Sequence, residues 1–191
     1  MDKEWCFKSI NMGRELEVAG EFVYQSAKKM KQLKRVYYTF DVNSILYYGS
    51  VGIERLQKIY LCLSYSMEEL DSINCLKGHN HLELEKTIIE RSNEILAQNG
   101  RSLLGLYADY YNNYRYGNYL PWKTQKDIQE LFVGFLKKKD GKFDFNKPCT
   151  EATFEEFRKF YINELGKVAQ HYYELIDKKA HELQVFTSSH A

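Results

Sequence analysis

Proline is nearly absent from this chain. Its 191 residues hold two, Pro121 and Pro148, so nothing in the first hundred residues interrupts a helix by removing a backbone donor. Long apolar runs are missing too. None approaches the ~18 consecutive apolar residues of a bilayer-spanning helix, which excludes such a span and predicts no membrane partner. Cysteine is sparse: Cys6, Cys62, Cys75 and Cys149 lie far apart, without the short spacing of a zinc or redox motif. Reduced thiols and a cytoplasmic location are the expectation. Met1-Asp2-Lys3-Glu4-Trp5 has acidic residues and no apolar core, unlike a signal peptide. An excess of charge of one sign is also lacking. With 27 basic and 26 acidic side chains, the formal net charge is +1. The strongly basic balance of a general nucleic-acid binder is therefore absent, while a local basic patch stays open. There is no glycine-rich phosphate loop, no nucleophile elbow and no His-Glu-x-x-His. No cofactor is implied.

What remains is an ordinary soluble composition, 44% apolar and 28% charged, arranged with helical periodicity. Leu16, Ala19, Val23, Ser26, Met30, Leu33 and Tyr37 recur every three or four residues, predicting a helix of about seven turns after a leader at 1–12. Trp5 and Phe7 of that leader are expected to dock on the body. The other face of the helix carries Lys28, Lys29, Lys31, Lys34 and Arg35, either a solvated face or a phosphate-contacting strip. A second helix, capped by Asp41 or Asn43, holds Gly49 and Gly52, which predict close helix-to-helix approach or a kink. A third runs from Leu82 to Gln98 and stops at Asn99-Gly100. A fourth extends from Arg101 to Tyr116. Thr124 with Asp127, and Thr153 with Glu156, resemble capping boxes opening two more. Between them, Asp140-Gly141 and the alternation of 142–145 predict a small hairpin or extended loop near 140–146. Residues 187–191 read as a frayed tail. The expected fold is all-α, one domain over 1–191, a bundle of about five or six mainly antiparallel helices.

Chemistry-bearing residues concentrate in 107–121. This stretch holds Tyr107, Tyr110, Tyr111, Tyr114, Tyr116 and Tyr119, with Arg115 among them and Gly117 and Pro121 ending the helix. Leu103, Leu106 or Tyr107, Tyr110 and Tyr114 share one face, and Arg115 lies beside it. Arginine keeps its charge, so a half-buried one needs acceptors. The pattern leaves two readings open. One is a salt bridge to Asp109, Glu54 or a neighbouring carboxylate. The other is a guanidinium at a groove, binding phosphate while Tyr111, Tyr116 and their neighbours stack on bases. His79-Asn80-His81 reads as a turn and helix cap; a metal site there would need Glu83 or Glu85 as well, and none is predicted.

The order of segments is familiar: the helix Gly52-Ile53-Glu54-Arg55-Leu56-Gln57-Lys58-Ile59-Tyr60-Leu61, the turn Gly78-His79-Asn80 with Leu82 after it, then a helix ending Tyr110-x-x-x-Tyr114-Arg115-Tyr116. Over residues 40–120 it resembles the HEPN superfamily of helical domains found in prokaryotic toxin–antitoxin, CRISPR and phage-defence proteins. The resemblance implies a helical bundle that dimerises and binds RNA. In many members it also implies metal-independent cleavage by an Arg followed, after four to six residues, by a His. This chain departs at that point, because no His follows Arg115 or any other arginine at that spacing. Arg115, with Asn118 and Tyr119 as stand-in polar groups, are the catalytic candidates on this resemblance. Arg115, Tyr111, Tyr116, Lys31, Lys34 and Arg35 are the candidates for contact with RNA or a nucleotide. The alternative is a non-catalytic scaffold or adaptor. In that case the long seams Leu16–Tyr37 and Phe154–Val185 pair with another copy or with a partner protein.

Overall fold

The structure, a computed structural model, describes residues 3–34, 39–70, 72–116, 125–137 and 151–185. Among them there is no strand. The helices are α1 (Lys3–Cys6), α2 (Met12–Gln32), α3 (Thr39–Ser64), α4 (Met67–Leu70), α5 (His81–Ser92), α6 (Gln98–Asp109), α7 (Gln125–Lys137) and α8 (Glu151–Leu183). Two π-helical segments, Phe7–Asn11 and Tyr110–Tyr114, and a 3-10 turn, Asn74–Lys77, complete the order. The fold is the expected all-α bundle. The region of the expected hairpin, 140–146, lies outside the described residues, as do Tyr37, Gly117, Pro121 and Thr124.

One apolar core joins the long helices, with Ala19 and Met30 of α2, Ile45, Leu46 and Ile53 of α3, and Leu103 and Tyr107 of α6 fully buried. Phe132 of α7 and Val168 and Tyr172 of α8 complete it, also without exposure. The described residues of both long seams face this core. Gly52 explains how α2 and α3 come so close. A Cβ there would lie 2.9 Å from the Val23 backbone nitrogen and 3.2 Å from the Ala19 carbonyl oxygen. The expected close approach is found. At Gly49 the space is filled instead by the hydroxyl ends of Tyr107 and Tyr161. Those hydroxyls join Ser26 in a buried chain: Tyr107 to Tyr161 at 2.8 Å, Tyr161 to Ser26 at 2.8 Å, and Ser26 Oγ donating to the Ile45 carbonyl at 2.8 Å.

These contacts fix helix directions. Arg55 pairs with Glu15, and Ser26 reaches Ile45, so α2 and α3 run antiparallel. Gly49 meets Tyr161 and Gln57 meets Tyr172, so α3 and α8 run parallel, a departure from an alternating bundle.

Several boundaries differ from the sequence reading. The leader is helical and continuous with α2, since Cys6, Asn11 and Met12 all keep α-helical torsions. Phe7 packs on the core, whereas Trp5 is 40% exposed. Helix α2 ends at Gln32, with Leu33 extended (φ −65°, ψ 116°) and buried. Helix α3 is already under way at Thr39, so neither Asp41 nor Asn43 caps it; Asn43 Oδ1 accepts from the Tyr110 hydroxyl at 2.9 Å instead. Helix α5 stops at Ser92 because Asn93 takes the left-handed conformation (φ 58°). Asn99 and Gly100 therefore lie inside α6, and Gly100 is buried where a Cβ would meet Leu96 and Val168. Thr153 lies within α8, which begins at Glu151. No helix among the described residues is long and apolar enough to cross a membrane.

Candidate nucleic-acid interface

Tyr47, Glu54 and Lys58 project from α3 at helical spacing of seven and four, a shared face. The turn at 78–80 is fastened to that face. Lys58 Nζ donates to the Gly78 carbonyl at 2.8 Å and pairs with Glu54 at 2.8 Å. His79 Nδ1 lies 3.0 and 3.1 Å from the two Glu54 oxygens. Asn80 then caps α5, its side-chain oxygen accepting from the Leu82 and Glu83 backbone nitrogens. This is the turn-and-cap role expected of the segment. Replacing Asn80 with alanine should cost about 1 kcal/mol, measured by urea denaturation; an unchanged midpoint would show that the cap contributes nothing.

The third component is the π-helical segment at the end of α6. There the Arg115 backbone nitrogen donates five residues back, to the Tyr110 carbonyl, at 2.8 Å. A π turn holds one extra residue, and such turns recur at functional sites. Tyr110 stays fully buried, and burial pushes its hydroxyl above the usual tyrosine range. Arg115 meets α3 at Tyr47, and Tyr111 meets the 78–80 turn. The Arg115 guanidinium carbon lies 4.5 Å from the Tyr111 ring centre, 5.1 Å from Tyr116 and 5.3 Å from Tyr47. On the same Tyr111 ring stacks His79, its centre 4.4 Å away and tilted by 30°. Partial burial raises the Tyr111 hydroxyl, and Arg115, charged and hydrogen-bonded to it, opposes the rise.

Arg115 is therefore held by rings. Among the described residues no carboxylate lies at ion-pair distance from it. Glu54 is engaged by Lys58 and His79, and Asp109 is exposed. Among the described residues Arg115 is thus a cation on aromatic faces and makes no salt bridge. Arg158, which the sequence did not single out, is the contrasting case. It is 8% exposed, and its Nε donates to the Leu33 carbonyl at 2.8 Å while it pairs with Glu151 and Glu155. The aromatic surface also continues past Tyr47 to Tyr48 (5.8 Å) and Phe22 (6.4 Å), with Arg55 over Phe22 at 5.6 Å.

The structure thus brings Arg115, Tyr111 and Tyr116 together, as the sequence predicted. Lys31 and Lys34 are exposed and lie apart from them, lining a cavity with Gln32, Glu151 and Arg158. Arg35, Asn118 and Tyr119 lie outside the described residues. Sequence reasoning missed Tyr47 and His79 as neighbours of Arg115, because α3 and the 78–80 turn bring them in from distant parts of the chain. His79 and His81 part company. His81 is fully buried between Ser50 and Gln57. Among the described residues no three acidic, histidine or cysteine side chains gather as a metal site. Cys6 and Cys62 are free, and burial pushes the Cys62 thiol up to about 11. No family model, curated protein or solved structure matches this chain.

Proposed function

We propose that the face around Arg115 binds RNA or a nucleotide, with the guanidinium taking a phosphate and Tyr111 and Tyr116 offering rings to bases. One observation carries the reading. A half-buried arginine sits over three tyrosine rings without a carboxylate among the described residues to neutralise it. Such a group keeps donors for an anion, and Arg fits phosphate oxygens in pairs. Tyr116, 60% exposed, supplies a ring at the solvent edge, and stacking on aromatic side chains is the sequence-tolerant way to hold single strands. The HEPN resemblance supports the same ligand. It extends the proposal to a homodimer acting in a prokaryotic defence or toxin–antitoxin system.

The test is filter retention of labelled single-stranded RNA at several salt concentrations. Arg115→Ala should bind at least about tenfold more weakly, and its salt slope should fall by about 0.7, the share of one phosphate on a single strand. Equal retention by the folded variant would rule out Arg115 as the phosphate contact.

A further inference from the structure

We propose that the cavity between the end of α2 and the start of α8 binds a small phosphorylated molecule, with Lys31, Lys34 and Arg158 taking its phosphate. This site is independent of the RNA-binding reading of Arg115.

Lys31 lies in the last turn of α2, and Lys34 follows the extended Leu33. With Gln32, Glu151 and Arg158 they line a cavity of about 530 Å3, within the ~300–1,000 Å3 of small-molecule sites. Arg158 makes this more than a pair of surface lysines. It is 8% exposed, and arginine cannot shed its charge on burial. Its guanidinium is pinned. Nε donates to the Leu33 carbonyl at 2.8 Å, and Nη1 donates to Glu151 and to Glu155 at 2.9 Å each. The guanidinium carbon lies 4.8 Å from the Phe154 ring centre. Nη2 makes no hydrogen bond among the described residues. A buried cation thus stands in the wall of the cavity, fixed in place, with donors to spare.

The charges point the same way. Lys31, Lys34 and Arg158 stand against Glu151 and Glu155, so one positive charge is unmatched. Glu155 is held below its usual range, chiefly by its hydrogen bond to Arg158, and Lys31 contributes, so its charge reaches this corner. Glu151 is the looser carboxylate, its side chain 78% exposed. A phosphate monoester meets this pattern. It carries up to two charges and three terminal oxygens, enough for two ammonium groups and Nη2 together, and charge-assisted bonds of this kind are the strong ones. A carboxylate or a phosphodiester brings one charge and two such oxygens to the same three cations, a poorer match.

The test is calorimetric titration of the native protein with inorganic phosphate and with pyrophosphate, beside variants checked for folding by circular dichroism. Arg158 is kept in all of them, because it ties α8 to Leu33. Native protein should bind both probes. The double variant Lys31→Ala, Lys34→Ala, altered only at exposed side chains, should bind at least about tenfold more weakly, as the loss of two charge-assisted hydrogen bonds requires. Glu151→Ala should bind inorganic phosphate about fivefold more tightly, because a like charge leaves the cavity; a purely structural Glu151 gives no such gain. Arg115→Ala should bind as the native protein does. The proposal is overturned by absence of binding to either probe, by native affinity in the double variant, or by unchanged affinity in Glu151→Ala. Loss of phosphate binding in Arg115→Ala overturns it as well, since the anion then sits at the other face. So does retention of single-stranded RNA that falls in the double variant while neither probe binds, which gives the two lysines to an RNA backbone.

Discussion

Gly52→Ala should destabilise the protein by about 3 kcal/mol, at the upper end of what overpacking usually costs. The added methyl would stand 2.8 Å from Val23 Cγ2, 2.9 Å from the Val23 nitrogen and 3.2 Å from the Ala19 oxygen. A side-chain tip can rotate away, but two of these three atoms are backbone in the middle of α2. Relief therefore requires the two helices to separate. They are held together by buried Ala19 and Ile53, by Ser26 donating to Ile45, and by the Arg55–Glu15 pair. Gly166, inside α8, supplies the control. A methyl there meets nothing within 4 Å, so Gly166→Ala should stabilise by about 0.5–1 kcal/mol through helix propensity and a less flexible unfolded chain. The same chemical change at two helical glycines should thus move the urea midpoint in opposite directions. Equal stability of Gly52→Ala and the native protein would show that α2 and α3 are not packed this closely.

Gly52 also shows what the sequence could say. A glycine inside an apolar helical run advertises either a kink or a close neighbour, and local pattern alone reports both. The same holds for the seams: Ala19, Val23, Ser26 and Met30, or Phe157, Tyr161, Leu165 and Val168, repeat every three or four residues because one side of each helix is buried. Gly100 marks where this kind of reading stops. After Asn99 it has the form of a helix terminator, yet the terminator is Asn93 and Gly100 is needed for contact with Leu96 and Val168. Local propensity permits either stop, and the tertiary contact decides. The candidate site divides in the same way. Tyr111, Arg115 and Tyr116 are near one another in sequence, so local pattern groups them. Glu54 and His79 are 25 residues apart, and nothing local reports that the turn folds back onto α3. Nor does local pattern tell whether an arginine finds a carboxylate or rings; that depends on Tyr47, brought in by another helix.

The second large effect concerns the other histidine of that turn. Stability should fall by roughly 3 kcal/mol between pH 6.5 and pH 4, on account of His81. His81 is fully buried: Ser50 Oγ lies 3.0 Å from Nε2, and Nδ1 lies 2.9 Å from Gln57 Oε1. Gln57 in turn donates to the Tyr172 hydroxyl at 2.9 Å and to the His81 carbonyl at 3.1 Å. In this arrangement Nδ1 donates and Nε2 accepts, so the network uses the neutral ring and has no place for a second proton. Burial lowers His81 from 6.5 to about 4. The unfolded chain therefore binds a proton near pH 6.5, while the folded one refuses it until about pH 4. Across that window the unfolded state gains protons first, so stability declines as pH falls and levels off once the folded state also titrates. His81→Gln removes the titrating group. It should be less stable than native at pH 7, because the Ser50 and Gln57 partners are no longer matched, yet lose less stability on acidification. Urea unfolding of both proteins at pH 7 and at pH 4.5 decides it. A smaller acid loss in the variant supports a neutral buried imidazole. The same loss in both would mean that the acid sensitivity belongs to other groups and that His81 is accessible to protons in the folded state.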